Sequence, residues 1–217
     1  MSVPADLTGL WRRELITTPD GGRDETTTVV WLQTSSWYAD LRIPADRPVR
    51  PGAICFADYS DAELLALAAV EGFAGELSVG DGVCSWRRDL DYQPPSGVPD
   101  EGAFRLDGDL MIEDGIHTPY QEIWRRDPQS RGDLQAWRRE DGLRVRPGGY
   151  FMDITEREFP LPPGATLAEI VRAALAAGDR ATAIDALSMR ISFGVIGPDS
   201  AWRITASTWP WLEGRTV

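Results

Sequence analysis

The sequence contains no lysine; all 22 of its basic residues are arginine. Histidine occurs once and cysteine twice. Each scarcity closes off a class of function. A structural zinc site needs about four Cys, His or carboxylate ligands. With one histidine, and neither a Cys-x-x-Cys nor a His-x-x-x-His spacing, no metal centre is expected. Two cysteines in 217 residues do not make a disulfide framework, and Cys55 and Cys84 both read as small buried hydrophobes. No hydrophobic run approaches the roughly 20 residues of a membrane span. The first residues, Met1-Ser-Val-Pro-Ala-Asp6, lack the basic and apolar stretches of a secretory leader, so a cytoplasmic protein is expected. A Gly-x-Ser-x-Gly elbow, a Walker loop, a dinucleotide fingerprint and His-Glu-x-x-His are all missing, and no cofactor is anticipated.

The charge that is present is mostly acidic, with a net value of −12. Such a chain is repelled by polyphosphate and by anionic bilayers, so neither nucleic acid nor a membrane surface is an expected partner. Hydrophobic residues make up 42% and charged residues 26%, enough apolar material for a packed core and too little charge for a disordered chain.

Asp-Gly dipeptides at Asp20-Gly21, Asp81-Gly82, Asp107-Gly108, Asp114-Gly115 and Asp141-Gly142 suit tight hairpin turns. The segments around them are rich in β-branched and aromatic residues. Strands are expected at 10–16, 26–34, 37–43, 73–79, 83–92, 103–113, 120–126, 134–140, 150–157, 189–196 and 202–208. That is a mainly β, antiparallel barrel or sandwich of about 10–13 strands. Two amphipathic helices interrupt it. Ser60-Asp-Ala-Glu63 is a capping box opening a helix over about 60–71, and Thr166-Leu-Ala-Glu169 opens another over about 166–177. Asp179 can cap a further turn carrying Ile184 and Leu187.

A weak internal repeat relates the two halves. Trp11-Arg-Arg-Glu14 recurs as Trp137-Arg-Arg-Glu140, and Tyr38-Ala-Asp40-Leu41 as Phe151-Met-Asp153-Ile154. A capped helix and a hairpin follow each. The second half is too short for its own eight-stranded barrel. The chain therefore reads as one domain, 1–217, containing two pseudo-repeats, about 1–130 and 131–217.

Nine tryptophans stand out, seven of them (Trp11, Trp31, Trp37, Trp86, Trp124, Trp137, Trp202) on expected strands. They suit either the wall of an apolar binding site or plain core packing. Charges inside strands narrow the choice of site. Strict alternation places Tyr38, Asp40 and Arg42 on one strand face, Trp86 and Arg88 on another, and Glu122 and Trp124 on a third. Arginine between aromatics suggests a carboxylate clamp beside an apolar wall, because the guanidinium fork bonds a carboxylate in two parallel hydrogen bonds. The alternative is cross-strand ion pairing on a wet outer face. The sequence does not say which faces turn inward. His117, between Glu113 and Glu122, sits near a turn and reads as a solvated side chain or a general base.

Three blocks resemble a family of uncharacterised bacterial proteins, and more loosely a fungal family with two lipocalin-like barrels. They are Thr8-Gly-Leu-Trp-Arg-Arg13 through Ala39-Asp-Leu-Arg-Ile-Pro44; Gly72-Phe-Ala-Gly75 with Cys84-Ser-Trp-Arg-Arg-Asp-Leu-Asp-Tyr-Gln-Pro94; and Glu113-Asp-Gly-Ile-His-Thr-Pro-Tyr-Gln-Glu-Ile-Trp-Arg125. The tail Ser207-Thr-Trp-Pro-Trp-Leu-Glu-Gly214 resembles the end of the bacterial family. The resemblance implies a calycin-like (lipocalin-like) β-barrel and no established reaction. The fungal family is linked to protein partners rather than to catalysis.

Three functional expectations follow. The first is a protein binding a small apolar or aromatic acid in a barrel cavity, through Asp40, Arg42, Trp86, Arg88, Glu122 and Trp124. The second is a metal-independent isomerase- or decarboxylase-like enzyme, with His117 or Glu122 as acid or base and Arg42 or Arg88 holding an anion. The third is a protein-interaction module, with Trp209-Pro-Trp211-Leu212 as an apolar anchor or, alternatively, a cap on the barrel.

Overall fold

The computed structural model describes residues 3–217. Nine strands form the first sheet: β1 (Gly9–Thr17), β2 (Arg23–Asp24), β3 (Thr28–Gln33), β4 (Trp37–Ile43), β5 (Glu71–Gly80), β6 (Val83–Asp91), β7 (Glu101–Asp107), β8 (Leu110–Gly115) and β9 (Gln121–Arg126). Every neighbouring pair is antiparallel, and β9 returns to pair with β1, which closes eight strands into a barrel; β2 only extends the end of β1. A second, open sheet holds β10 (Leu134–Arg139), β11 (Gly142–Pro147), β12 (Tyr150–Thr155), β13 (Arg190–Ile196) and β14 (Trp202–Ser207), also antiparallel and in chain order. Three helices complete the fold: α1 (Asp61–Leu67), α2 (Leu167–Ala176) and α3 (Arg180–Ala186). No helix among the described residues is long and apolar enough to cross a membrane.

The capping boxes mark where α1 and α2 begin. Ser60 accepts from the Glu63 amide, and Thr166 Oγ1 accepts from the Glu169 amide at 3.2 Å. The Thr166 amide in turn donates to Glu169 Oε2 at 2.7 Å. Thr166→Ala is therefore expected to lower stability by about 1 kcal/mol in urea melts, the usual worth of such a cap. A change below a few tenths of that would show that the cap is redundant. α1 ends four residues before the expected limit because Glu71 already belongs to β5, where Gly72 pairs with Leu41. The turn suggested by Asp179 is a separate helix, α3, whose cap accepts from Thr182.

Three other local expectations are corrected. The expected strand 103–113 is a hairpin, β7 and β8, turning at Asp107-Gly108. Asp114-Gly115 makes no turn; it continues β8, with Gly115 opposite Gly102. Cys84 is buried, but Cys55 is exposed, because it lies in the loop before α1 and not on a strand.

The two sheets share a core. The outward faces of β1, β3 and β4, with Leu10, Val30, Leu32, Ala39 and Leu41, pack with Leu143, Val145, Met152, Ile154 and Ile191 of the open sheet and with apolar residues of all three helices. This decides the orientation of β4. Its apolar face meets the second sheet, so Tyr38, Asp40 and Arg42 must turn into the barrel. Trp209 and Trp211 pack on Phe56 and Tyr59 at the edge of this core and leave no exposed anchor.

The repeat extends to the hydrogen-bond register. Trp31 faces Asp40 across β3–β4, and Arg144 faces Asp153 across β11–β12. Tyr38 faces Gly75, and Phe151 faces Gly194. A bulge follows Ala74 in β5 and follows Phe193 in β13. At both bulges only glycine fits: a Cβ on Gly75 would lie 1.8 Å from the Arg87 carbonyl oxygen, and one on Gly194 would lie 2.2 Å from that of Arg203. Beyond the bulges Leu77 faces Trp86, and Ile196 faces Trp202. The open sheet is thus a half-barrel, equivalent strand by strand to β1, β3, β4, β5 and β6; among the described residues only the chain's tail, bridging Arg203 to Thr216, lies beside β14 where β7 lies beside β6, and no strand takes the place of β8 or β9.

Candidate functional site

The closed barrel is filled by aromatic side chains. Trp31 lies 6.1 Å from Trp11, 5.8 Å from Trp86 and 5.9 Å from Trp124, with edge-on geometry to the last two. All four are buried. Leu7 and Val3 plug one end, where Trp11 donates its indole N–H to the Leu7 carbonyl at 2.8 Å.

Charged groups occupy the other part of the interior. Arg13 donates to Glu122 Oε1 at 2.8 Å and to Asp24 Oδ2 at 2.9 Å. Arg42 donates to Asp40 at 2.9 Å and lies 3.7 Å from Glu122. Glu113, opposite Glu122 on β8, accepts from the Tyr120 hydroxyl at 2.8 Å and from the Trp124 indole at 3.1 Å. Burial, reinforced by the charge of Glu122, pushes the Glu113 carboxyl up to about 8. Burial also raises Asp40, to about 6, although Arg42 opposes it.

Of the residues expected to form a site, Asp40, Arg42, Trp86 and Trp124 line one interior cavity, together with Glu113 and Tyr120. Glu122 faces inward beside it. Arg88 lies at the rim, its guanidinium 3.5 Å from the Phe73 ring centre and bonded to Asp91 and Asp100. The cavity measures only about 20 Å3. That is room for roughly one water, against the hundreds of Å3 that a drug-sized ligand takes. The guanidiniums of Arg13 and Arg42 already bond carboxylates, and an incoming carboxylate would meet Asp40, Glu113 and Glu122. The closed barrel as it stands therefore has no space for an apolar acid. His117 stands outside, at a loop, bonded to Glu101 at 2.9 Å and well exposed, so it does not converge with the interior carboxylates.

The half-barrel presents the same chemistry without the filling. Trp137, equivalent to Trp11, is 43% exposed, and Trp202, equivalent to Trp86, is half-buried over Phe151 at 4.9 Å. Between them run Arg139, Arg144 and Arg146, and the cleft measures about 540 Å3. The central carboxylate of this face is Asp153, with Asp141 at its margin 3.3 Å from Arg139. Asp153, the counterpart of Asp40, accepts from Arg139 at 2.7 Å and Arg144 at 3.1 Å and lies 3.5 Å from Arg190. Burial alone would raise its pKa, but the Arg144 and Arg139 bonds hold it below the usual carboxylate range. Arg144 uses only Nε in these bonds, and its guanidinium lies 5.0 Å from the Trp202 ring centre. Arg146 bonds only the Gly148 carbonyl and the Gln135 side chain.

Arg144 and Arg146 lie on β11, a strand absent from the sequence reading. Its signal was present: Leu143-Arg-Val-Arg146 alternates apolar and charged residues between Asp141-Gly142 and Gly148-Gly149.

No family model matches the chain, and no curated protein matches it. Among solved structures, a lipocalin-like protein from Bacteroides uniformis ATCC 8492 aligns with 56% of this chain and 99% of its own, at 12% identity and a TM-score of 0.37. The antiparallel β-barrel expected from the sequence is present in the strand pairing, which closes β9 onto β1; membership of the bacterial or the fungal family is not shown.

Proposed function

We propose that this chain is a non-catalytic binding protein, and that it captures anionic groups on the open, Trp- and Arg-lined face of the half-barrel rather than inside the closed barrel. One observation carries this reading. The half-barrel keeps Trp11, Trp86 and Arg13 as Trp137, Trp202 and Arg139 and sets Arg144 where the barrel has Trp31, around a cleft of about 540 Å3, whereas the barrel retains about 20 Å3. The Nη nitrogens of Arg144 point to no carboxylate partner, so a bound anion gains hydrogen bonds without displacing existing ones. Trp137 and Trp202 supply the flat apolar walls. The barrel then serves as the rigid support onto which the half-barrel packs. A ligand inside the barrel, the form first expected, shares the aromatic and arginine chemistry but requires Trp31 or its neighbours to move.

Tryptophan emission tests the reading. Titration with aromatic carboxylates such as benzoate and indole-3-acetate, and with short acidic peptides, is expected to shift or quench emission. The response is expected to vanish in Trp137→Phe combined with Trp202→Phe and to persist in Trp86→Phe. A response that follows Trp86 would return the site to the barrel, and a flat response across both ligand classes would refute the binding reading altogether.

A further inference from the structure

The repeat provides a template for what sits on the open face. In the barrel, β9 pairs along the free side of β1, and its inward side chains complete the interior: Glu122 bonds Arg13, and Trp124 stands against Trp31. Three strands, β7–β9, supply this wall, and with it the carboxylates Glu113 and Glu122. Inside the barrel Arg13 and Arg42 thus meet three carboxyl groups, Asp40, Glu113 and Glu122, while a third buried arginine, Arg126, stacks on Trp11 and bonds Asp109.

The half-barrel lacks that wall. Its β10 corresponds to β1, Trp137 to Trp11 and Arg139 to Arg13. The outer edge of β10 has no strand partner among the described residues. Its opposite edge, β14, is covered by the chain's own tail, through the bridge between Arg203 and Thr216 and the bond from the Ile204 amide to the Arg215 carbonyl. Arg139, Arg144 and Arg190 gather round Asp153, with Asp141 a second partner of Arg139, while Arg146 bonds only the Gly148 carbonyl and Gln135, so arginines outnumber carboxylates on this face. In a chain of net charge −12, this face is a local surplus of positive charge bounded by an unpaired sheet edge.

From this asymmetry we infer that the half-barrel recognises an extended, acidic segment of a partner protein, which adds as a strand to β10 and turns alternate carboxylates toward Arg139 and Arg144. Main-chain bonds to the edge supply affinity, and side chains at every second position supply specificity. The carboxylates take the part that Glu122 plays inside the barrel, where a strand on β1 neutralises an equivalent arginine. Trp137 and Trp202 cover the aliphatic or aromatic side chains between them. A second copy of this chain is a poor occupant, because two bodies of charge −12 repel one another. This inference rests on the half-barrel being the binding face, and the experiment separates the two.

A capped peptide alternating glutamate with valine, its glutamine analogue, and free indole-3-acetate are titrated by calorimetry into the full chain. Amide hydrogen exchange of Leu134–Arg139 is followed in parallel. The glutamate peptide is expected to bind, to protect amides of β10 from exchange, and to weaken about tenfold or more in Arg144→Gln, which keeps Asp153 paired with Arg139 and Arg190. Circular dichroism and melting of Arg144→Gln check that its fold is intact. The glutamine peptide is expected to bind much more weakly. Binding of indole-3-acetate alone would overturn the strand proposal and leave the anion-binding reading in place. Peptide binding without protection of β10, or insensitive to Arg144→Gln, would also overturn it. No binding by any of the three would remove both.

Discussion

Replacing Arg13 by alanine is expected to destabilise the protein by about 3–5 kcal/mol, the usual result of removing one partner from a buried ion pair. In a domain of this size that is a fall in melting temperature on the order of 10 °C. The reason is geometric. Arg13 is 7% exposed and Glu122 2%, and their 2.8 Å bond lies inside the closed barrel. Without Arg13, Glu122 retains only Arg42 at 3.7 Å, and Arg42 is already committed to Asp40 at 2.9 Å. Asp24, on the short β2, loses its side-chain tie to β1 as well and keeps only its local bonds to Thr26 and Thr27. The double variant Arg13→Met with Glu122→Leu is expected to recover most of the loss, since apolar replacement of a whole buried pair is often neutral or better. Urea melts of both variants decide it. An Arg13→Ala loss below about 1 kcal/mol would place the pair among solvent-screened surface bridges and contradict its burial.

Stability is expected to decline as pH rises from about 4.5 toward 8, and Glu113→Gln is expected to remove much of that decline. An unfolded chain loses the Glu113 proton near the ordinary value of 4.5, whereas the folded barrel retains it up to about 8. Between those values the native state carries one proton more than the unfolded state. The stability therefore falls with pH, at up to about 1.4 kcal/mol per unit. Asp40, raised from 3.8 to about 6, acts in the same sense over the lower part of the window. Carboxyls whose pKa is lowered, such as Asp109 and Asp153, act in the opposite sense and only below about 4. Glutamine can still bond both Tyr120 and Trp124, so the variant is expected to equal the parent near pH 5 and exceed it at pH 8. Urea melts at the two pH values measure this, and parallel pH profiles for parent and variant would show that Glu113 does not hold the proton.

These two expectations explain why a carboxylate-rich barrel interior is tolerable. Burying charges is expensive unless they are paired. The barrel pairs Arg13 with Glu122 and Arg42 with Asp40, and it leaves Glu113 mostly protonated between the Tyr120 and Trp124 donors. The interior is a solved electrostatic problem, with little room left for a ligand. The half-barrel repeats half of the arrangement and leaves its arginines in surplus.

By itself the sequence determined most of the strands, the two capped helices and their repetition, but not β11 or the turn between β7 and β8. Alternating Trp37 to Ile43, the turn at Asp81-Gly82 and the two capping boxes are local signals, because backbone period, turn φ angles and helix ends are set by residues adjacent in the chain. The paired motifs Trp11-Arg-Arg-Glu14 and Trp137-Arg-Arg-Glu140 made the repeat visible for the same reason. Only the tertiary structure decided which faces lie inside and where empty space remains. Trp37-Ala39-Leu41 and Tyr38-Asp40-Arg42 are equally regular faces of one strand. The second sheet settled their orientation by covering the apolar one, and no residue within β4 encodes that distant contact. The closure of β9 onto β1, against the open edge of β10, is likewise a matter of three strands being present in one half and missing in the other. That difference fills the first chamber with Trp31 and its neighbours and leaves Trp137, Arg144 and Trp202 facing outward.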